Sequence, residues 1–250
     1  MMLRFRYSTT SKAVAAFAIL ASAGLLDGCR NETVTPNPVA DYYPLTVGTY
    51  RAYAVSDTTW SKGVATASNY QLREAITQQY ADAAGQPAYR ILRARRASST
   101  AAWADDSVFV VQPLSQSVTL TRDNVRTIEL IYPLTAGKTW RKYSFTTTRA
   151  DSVRAFDPTV GKPFTTPGPA SKTYDLAATV RDVEPVALND GLYRQAGYLQ
   201  VFAQGAGPVA RRRYYYETFI TLPNQAQQLT PGIIQQGRSR LEVLIDSGKL

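Results

Sequence analysis

From Tyr42 onward the chain is a succession of short β-prone runs separated by turn residues, and no stretch of twelve residues holds a helical stripe. That pattern constrains the fold more than any motif does. The runs fall at 50–59, 69–79, 88–96, 107–112, 117–122, 125–132, 139–149, 172–185, 192–203, 211–222 and 233–245. Several alternate with the two-residue period of a half-buried strand. In one, Tyr89 and Ile91 share a face with Arg93 and Arg95, so the face begins apolar and ends charged, as in a strand leaving the core. Ser107-Val108-Phe109-Val110-Val111 is apolar on both faces and reads as a central strand. Leu72 to Tyr80 has the Gln, Glu and Ala of a helix but no caps, and its flanks make it a strand. Turns are marked by Ala84-Gly85-Gln86-Pro87, Arg122-Asp123-Asn124, Asn189-Asp190-Gly191 and Gly205-Ala206-Gly207-Pro208. Of these, Asp190-Gly191 is the best type I′ hairpin signal. The proline-rich stretch 156–169 reads as a surface loop. The expected fold is all-β and antiparallel: a curved sheet, or an open or partly closed barrel, of about ten strands.

One segment occurs twice. Tyr43-Pro44-Leu45-Thr46-Val47-Gly48 returns as Tyr132-Pro133-Leu134-Thr135-Ala136-Gly137. Each copy leads into an aromatic strand, Tyr50-Arg51-Ala52-Tyr53 in the first and Trp140-Arg141-Lys142-Tyr143 in the second. A buried aromatic and a leucine bracketing a proline-fixed bend, with a glycine to free the turn, make a device for launching a strand. An internal duplication would divide a single β domain at 42–250 into halves 42–131 and 132–250.

The N-terminus carries an address. A basic start (Arg4, Arg6, Lys12) precedes an apolar run, Ala13 to Leu26, too short to span a bilayer as a mature helix. Leu26-Asp27-Gly28-Cys29 closes it and resembles the lipobox of a type II lipoprotein signal, with Asp27 where a small or apolar residue is usual. The resemblance implies a signal peptide at 1–28, a signal helix within it, and Cys29 as the residue that receives diacylglycerol and palmitate. Residues 29–41 then form the lipidated cysteine and a flexible tether, broken by Pro36 and Pro38, with a reach on the order of 20 Å. The whole chain has 28 basic and 19 acidic residues; three of the former and one of the latter precede Cys29, which leaves 25 against 18 and a net charge of +7. Outside the cytoplasm such a balance suits phospholipid headgroups, lipopolysaccharide or acidic glycans, or simply a solvated surface.

Absences exclude whole classes of chemistry. The chain has no histidine, which removes Ser-His-Asp and Cys-His catalysis and every His-ligated metal or haem site. Its one cysteine is committed to lipid, so thiol nucleophiles, thiolate metal sites and structural disulfides go too. No metal and no cofactor are expected. Catalysis would have to rest on carboxylates, Lys, Tyr or Ser.

The Tyr-Pro-Leu-x-x-Gly segments, each before an aromatic strand and the first after a lipobox and tether, resemble a group of uncharacterised bacterial lipoproteins of the Bacteroidota type. That resemblance implies an extracytoplasmic β domain and brings no activity with it. Arg30 follows the cysteine in place of an inner-membrane retention aspartate, and no acidic run follows, which favours an outer-membrane anchor with the domain facing the periplasm.

Arg211-Arg212-Arg213-Tyr214-Tyr215-Tyr216 is the most unusual local run. In a strand, Arg211, Arg213 and Tyr215 share one face and Arg212, Tyr214 and Tyr216 the other. Interleaved cations and aromatics suit an anionic glycan, a lipid phosphate or, least of all at this address, single-stranded nucleic acid; a charge-protected edge strand is the plainer account. Asp105-Asp106, beside Trp103, reads as a solvated turn, and Asp123, Asp182 and Glu184 specify no chemistry by their spacing. Gly205-Ala206-Gly207 lacks the third glycine of a dinucleotide loop. The reading that results is a lipid-anchored binding or structural module without catalysis, held to the membrane through Cys29. A glycan, a lipid or an envelope protein is its expected partner; nucleic acid is not. One alternative is a carrier of a lipid or amphipathic ligand on a concave sheet face. Another is a carboxylate-based glycan hydrolase, which needs two acids roughly 5–10 Å apart.

Overall fold

The computed structural model describes residues 39–146, 152–168, 171–183 and 188–250. The 1–28 leader, Cys29, the tether up to residue 38 and Glu184 lie outside them. A four-residue helix, α1 (Val39–Tyr42), precedes fifteen strands among the described residues. β1 (Thr49–Ser61), β2 (Val64–Ala81), β3 (Pro87–Arg96), β4 (Ala104–Leu114), β5 (Ser117–Arg122) and β6 (Val125–Ile131) form an antiparallel meander. β7 (Thr139–Arg141), β8 (Val153–Phe156), β9 (Lys162–Thr165), β10 (Thr173–Val183), β11 (Arg194–Ala203) and β12 (Gly207–Glu217) follow, with β9 paired to the side of β10. A small hairpin, β13 (Phe219–Thr221) and β14 (Gln227–Leu229), then leads to β15 (Gln236–Lys249).

The long last strand makes this a ring. β15 pairs with β12 on one side and with β1 on the other, from Thr49↔Lys249 to Ser61↔Gln236 with one bulge between Ala52 and Tyr53. The strands therefore run in sequence order around the wall, and the only edges of the main path are β6 and β7. Those edges meet. The Ile128 amide donates to the Lys142 carbonyl at 2.9 Å, and the Ile128 carbonyl accepts from Trp140 Nε1 at 3.2 Å and from Arg154 Nη1 at 2.8 Å. The fold is an up-and-down antiparallel barrel, closed but for this seam.

The wall has more strands than expected: thirteen in the main sheet, not about ten. The excess comes from segments whose composition hides them. β8 and β9 border or lie within the proline-rich stretch read as a loop, where Pro163 occupies a strand paired on one side only, the position that tolerates a missing donor. The run at 139–149 stops at Arg141. The run at 211–222 breaks at Thr218, whose amide turns to the Tyr193 carbonyl at 3.0 Å. The two-residue hairpins with paired positive φ are Lys62-Gly63 (50° and 80°) and Asp123-Asn124 (51° and 59°). Asp190-Gly191 instead opens a wider turn, in which Asp190 Oδ1 accepts from the amides of Leu192, Tyr193 and Arg194. Asp105 and Asp106 are exposed, as expected, but within β4 rather than in a turn.

One end of the barrel is packed solid. Ile76, Ile91, Phe109, Val118, Leu130 and Phe202 meet there, all at most 2% exposed, with Phe156 packed at a tilt against Trp140 at 4.8 Å between ring centres. Both Tyr-Pro-Leu segments come to this end. Tyr43 and Tyr132 are buried in the same cluster, and Leu45 and Leu134 pack against it. The two turns share their hydrogen bonding: Thr49 N–H to Thr46 O at 3.2 Å, and Lys138 N–H to Thr135 O at 3.1 Å. Arg51 fastens the first copy, donating to the carbonyls of Pro44 and Ala206. On the outer wall, Gln71, Arg73, Arg90 and Arg96 interrupt any continuous apolar band of the kind a lipid-facing barrel presents.

Candidate functional site

Above the apolar plug the lumen turns ionic. Inward positions that continue the apolar rows carry charge instead: Leu72 and Ile76 flank Glu74 on β2, Ile91 precedes Arg93 on β3, and Phe156 follows Arg154 on β8. Arg93 is 4% exposed, so its strand does not leave the core as its sequence suggested; the face stays inside the barrel and meets a partner there. That partner is Glu74, directly across the ladder. Arg211 on β12 bonds Glu242 at 2.6 Å and reaches Glu74 at 3.4 Å. Arg154 holds Glu129 at 3.0 Å and Asp182 at 2.9 Å, and Lys142 adds a second bond to Asp182 at 2.6 Å. Nearer the mouth, Asp57 takes both Arg238 and Arg240 and the Tyr70 hydroxyl.

The pairings fix protonation. Burial alone would raise the Glu74 carboxyl, but the adjacent Arg93 and Arg211 overcome it and hold the group down at about 2. Glu129 is lowered in the same way, its burial outweighed by Arg154. Asp57 sits well below the usual carboxylate range, chiefly through its bond from Arg238. Burial lifts the Tyr198 phenol, with a further push from Glu129, to about 12. Arg122 moves the other way: desolvation first, then Arg93 and Arg211, lower it below the ordinary guanidinium value.

Between this charged floor and the mouth lies a cavity of about 530 Å³. Seven cationic and four acidic side chains line it. Its sides include Leu120, Tyr143, Tyr198 and Tyr215. Such dimensions fall within the range of small-molecule sites.

The Arg-Tyr run is divided by the barrel wall. β12 is no edge strand; it lies between β11 and β15. Arg211, Arg213 and Tyr215 belong to the lumen face. Arg212, Tyr214 and Tyr216 lie on the outer wall, where Arg212 sits over the Tyr214 ring, Tyr214 stacks on Tyr216 at 5.2 Å, and Trp60 meets Tyr216 edge-on at 5.3 Å. The six therefore do not form one lumenal surface, although Tyr214 also borders the cavity beside Gly197. Trp140 and the Tyr43 and Tyr132 segments remain at the closed end, away from the cavity lining.

Sequence reasoning missed Glu74, Arg93, Arg122, Glu129, Arg154, Asp182 and Glu242. The signal that finds most of them, though not Glu129, is a charge in phase with an apolar two-residue row, such as Tyr70-x-Leu72-x-Glu74-x-Ile76 or Val118-x-Leu120-x-Arg122. In an open sheet such a charge points out of the core. In a closed barrel it points into the lumen, where a charge from another strand can meet it.

No protein-family model matches the chain, and no curated protein matches it. Among solved structures it is similar to a Bacteroides fragilis protein classed as exported, with a YmcC-like fold: 11% identity, 84% of this chain and 99% of that one covered, TM-score 0.43. It is also similar to a protein of Parabacteroides distasonis classed as a lipoprotein: 10% identity, 83% and 98% covered, TM-score 0.32. At such identity and overlap neither likeness bears on the site.

Proposed function

We propose that this chain is a lipid-anchored extracytoplasmic binding module, without catalysis, that takes its ligand into the open half of the barrel. The carrying observation is the half-filled lumen: a packed apolar plug, an ion-paired floor, and a cavity of about 530 Å³ above it. Side chains held by several ion pairs each are pre-organised, so binding orders little that was loose beforehand. The lipobox at Leu26–Cys29 supports an anchor on Cys29, Arg30 supports an outer-membrane address, and the lack of an acidic run after Cys29 supports a domain facing the periplasm.

Catalysis by paired carboxylates is disfavoured by the same ion pairs. A glycosidase needs one carboxyl raised so that it can donate a proton. Glu129 and Glu74 are instead held as anions by their arginines. The carrier alternative fares little better, because an acyl chain would have to lie against the charged floor; the apolar end is filled by Phe109, Phe156 and Phe202.

Two measurements test the reading. The full chain expressed with its own leader should incorporate labelled palmitate and partition into the outer membrane, and Cys29→Ala should do neither. Native mass spectrometry of the detergent-purified lipoprotein should find a small molecule retained by the wild type and lost when Arg213→Glu alters the mouth. A lipoprotein that retains nothing, and binds nothing from an envelope extract, sinks the binding reading.

A further inference from the structure

We propose that the lumen binds a phosphate ester, with Arg122 and Arg213 as the two cations that grip it; this rests on the binding reading above and names its ligand class. The argument begins with which cations are already satisfied. Arg93, Arg154, Arg211 and Arg240 each hold at least one carboxylate, and Lys142 holds Asp182. Arg122 and Arg213 line the same cavity and have no carboxylate partner among the described residues. The remaining acid in the lining, Asp123, is exposed at the tip of the β5–β6 turn.

Arg122 is poorly placed for a protein without a ligand. Its guanidinium gains a cation–π contact with the Phe109 ring at 4.5 Å, but its Nε is buried without a hydrogen-bond partner, and Arg93 and Arg211 repel it more strongly than Glu74 and Glu242 attract it. Arg93 adds a second buried Nε with no partner to the same wall. A buried, unpaired donor costs stability, and a cluster of like charges costs more. Both costs vanish if an anion with several acceptor oxygens enters. Guanidinium forks match phosphate bidentately, and the tetrahedral oxyanion of a phosphate mono- or diester can present oxygens to two forks where a carboxylate serves one.

Arg213 supplies the second fork from the other side of the cavity. It is exposed toward the mouth, its guanidinium 5.4 Å from the Tyr198 ring centre, and its ladder neighbour across to β15 is Arg240. The cavity is larger than a bare phosphate needs, so the anion is one group of a bigger molecule. Tyr198 and Tyr215 flank the remaining space with rings suited to the faces of a polar body. A lipid headgroup and a soluble sugar or polyol phosphate share this chemistry.

Isothermal titration of the full lipoprotein in a neutral detergent separates them, using inorganic phosphate, glycerol 3-phosphate and dihexanoyl phosphatidylglycerol. We expect saturable binding of at least one ester, fading as salt rises. Each of Arg122→Gln and Arg213→Gln should weaken it by about tenfold or more, the loss of a hydrogen bond to a charged group. Binding of the phospholipid alone identifies the headgroup as the source; binding of the glycerol phosphate identifies a soluble ester. The apo thermal midpoint supplies a readout that a purely structural arginine would not give. Arg122→Gln should melt no lower than wild type, because it removes an unsatisfied donor and a repelled charge. Failure of all three probes, or binding unchanged in both variants, overturns the phosphate assignment. If a neutral molecule is instead found retained in the lumen by mass spectrometry, this assignment fails and the binding module stands. Should Arg122→Gln not fold, Arg213→Gln, at an exposed position, decides alone.

Discussion

Arg211 on β12 and Glu74 on β2 meet inside the barrel at 3.4 Å, although 137 residues and two intervening strands separate them. Arg211 also holds Glu242 at 2.6 Å, and Glu74 also holds Arg93, so one chain of charges ties four strands together through the lumen. The apolar plug ends at this level, and the cations left over lie above it.

Glu74 is the keystone of that chain. Glu74→Ala leaves Arg93 and Arg211 facing each other with one fewer carboxylate, and breaking a buried pair in this way costs about 3–5 kcal/mol. Glu74→Gln keeps the shape and an acceptor, and should cost less. Urea denaturation at neutral pH checks both; an alanine variant within about 1 kcal/mol of wild type would show the pairing to be incidental. Acid gives an independent reading. The folded carboxyl lies at about 2, below its unfolded value of 4.5, so its contribution is fully present above pH 4.5 and is lost as pH falls toward 2. The stability of Glu74→Gln should therefore depend less steeply on pH across that window than that of the wild type.

The seam is the weak line of the wall. β1 and β15 pair from Thr49 to Ser61 with a single bulge, whereas at the seam no ladder joins β6 to β7 among the described residues. There the Ile128 amide bonds the Lys142 carbonyl just past β7, while Trp140 and Arg154 bond the Ile128 carbonyl. Native-state hydrogen exchange should find the Ile128 amide opening at a lower free energy than the amides of Val55 or Val243. Trp140→Phe removes a donor worth about 1 kcal/mol and should speed Ile128 exchange while leaving the β1–β15 ladder unchanged. Uniform protection around the ring would mean that the seam is as strong as the rest.

How far the fold could be read from the chain depends on what each residue's neighbours are. Alternation along β5 and β6 is local, and both strands are legible almost to the residue. Closure is not local. It rests on β15 pairing with β1 from the opposite end of the sequence, and no window of residues records that. The misreading of Arg93 follows from the same blindness: its charge ends an apolar row, and only a closed wall turns that row back into the interior. Arg211 and Arg213 were legible as unusual and as sharing a face, but not as lumenal. Glu129 was hidden for another reason. The register slips between Val118 and Thr119 where β5 pairs with β6, so the inward alternation does not run straight through this residue.

The two Tyr-Pro-Leu segments offer a matched pair of substitutions. Gly48 and Gly137 stand at φ of 84° and 72°, and a Cβ at either would meet nothing within 4 Å. The cost of alanine is then backbone strain alone, about 1–2 kcal/mol at each site. Gly48→Ala and Gly137→Ala should shift the urea midpoint alike. A large difference between them would show that the two turns, despite their shared hydrogen bonds, carry different loads.

A second pair of glycines separates crowding by side chain from crowding by backbone. On the outer wall a Cβ at Gly197 would lie 2.7 Å from the far edge of the Tyr214 ring, whereas one at Gly237 would lie 2.5 Å from the Tyr215 carbonyl oxygen and 3.1 Å from Tyr216 Cα. A ring can swing aside; a ladder carbonyl cannot. Tyr214 gives up its stack on Tyr216 when it moves, so Gly197→Ala should cost about 1–2 kcal/mol, and Gly237→Ala should reach about 3 kcal/mol or more by forcing β12 and β15 apart. Because β12 carries Arg211 and Arg213, the Gly237 variant should also weaken any ligand held in the lumen, while the Gly197 variant should leave it bound. Denaturation and titration of the two variants side by side check the order, and equal losses in both would contradict it.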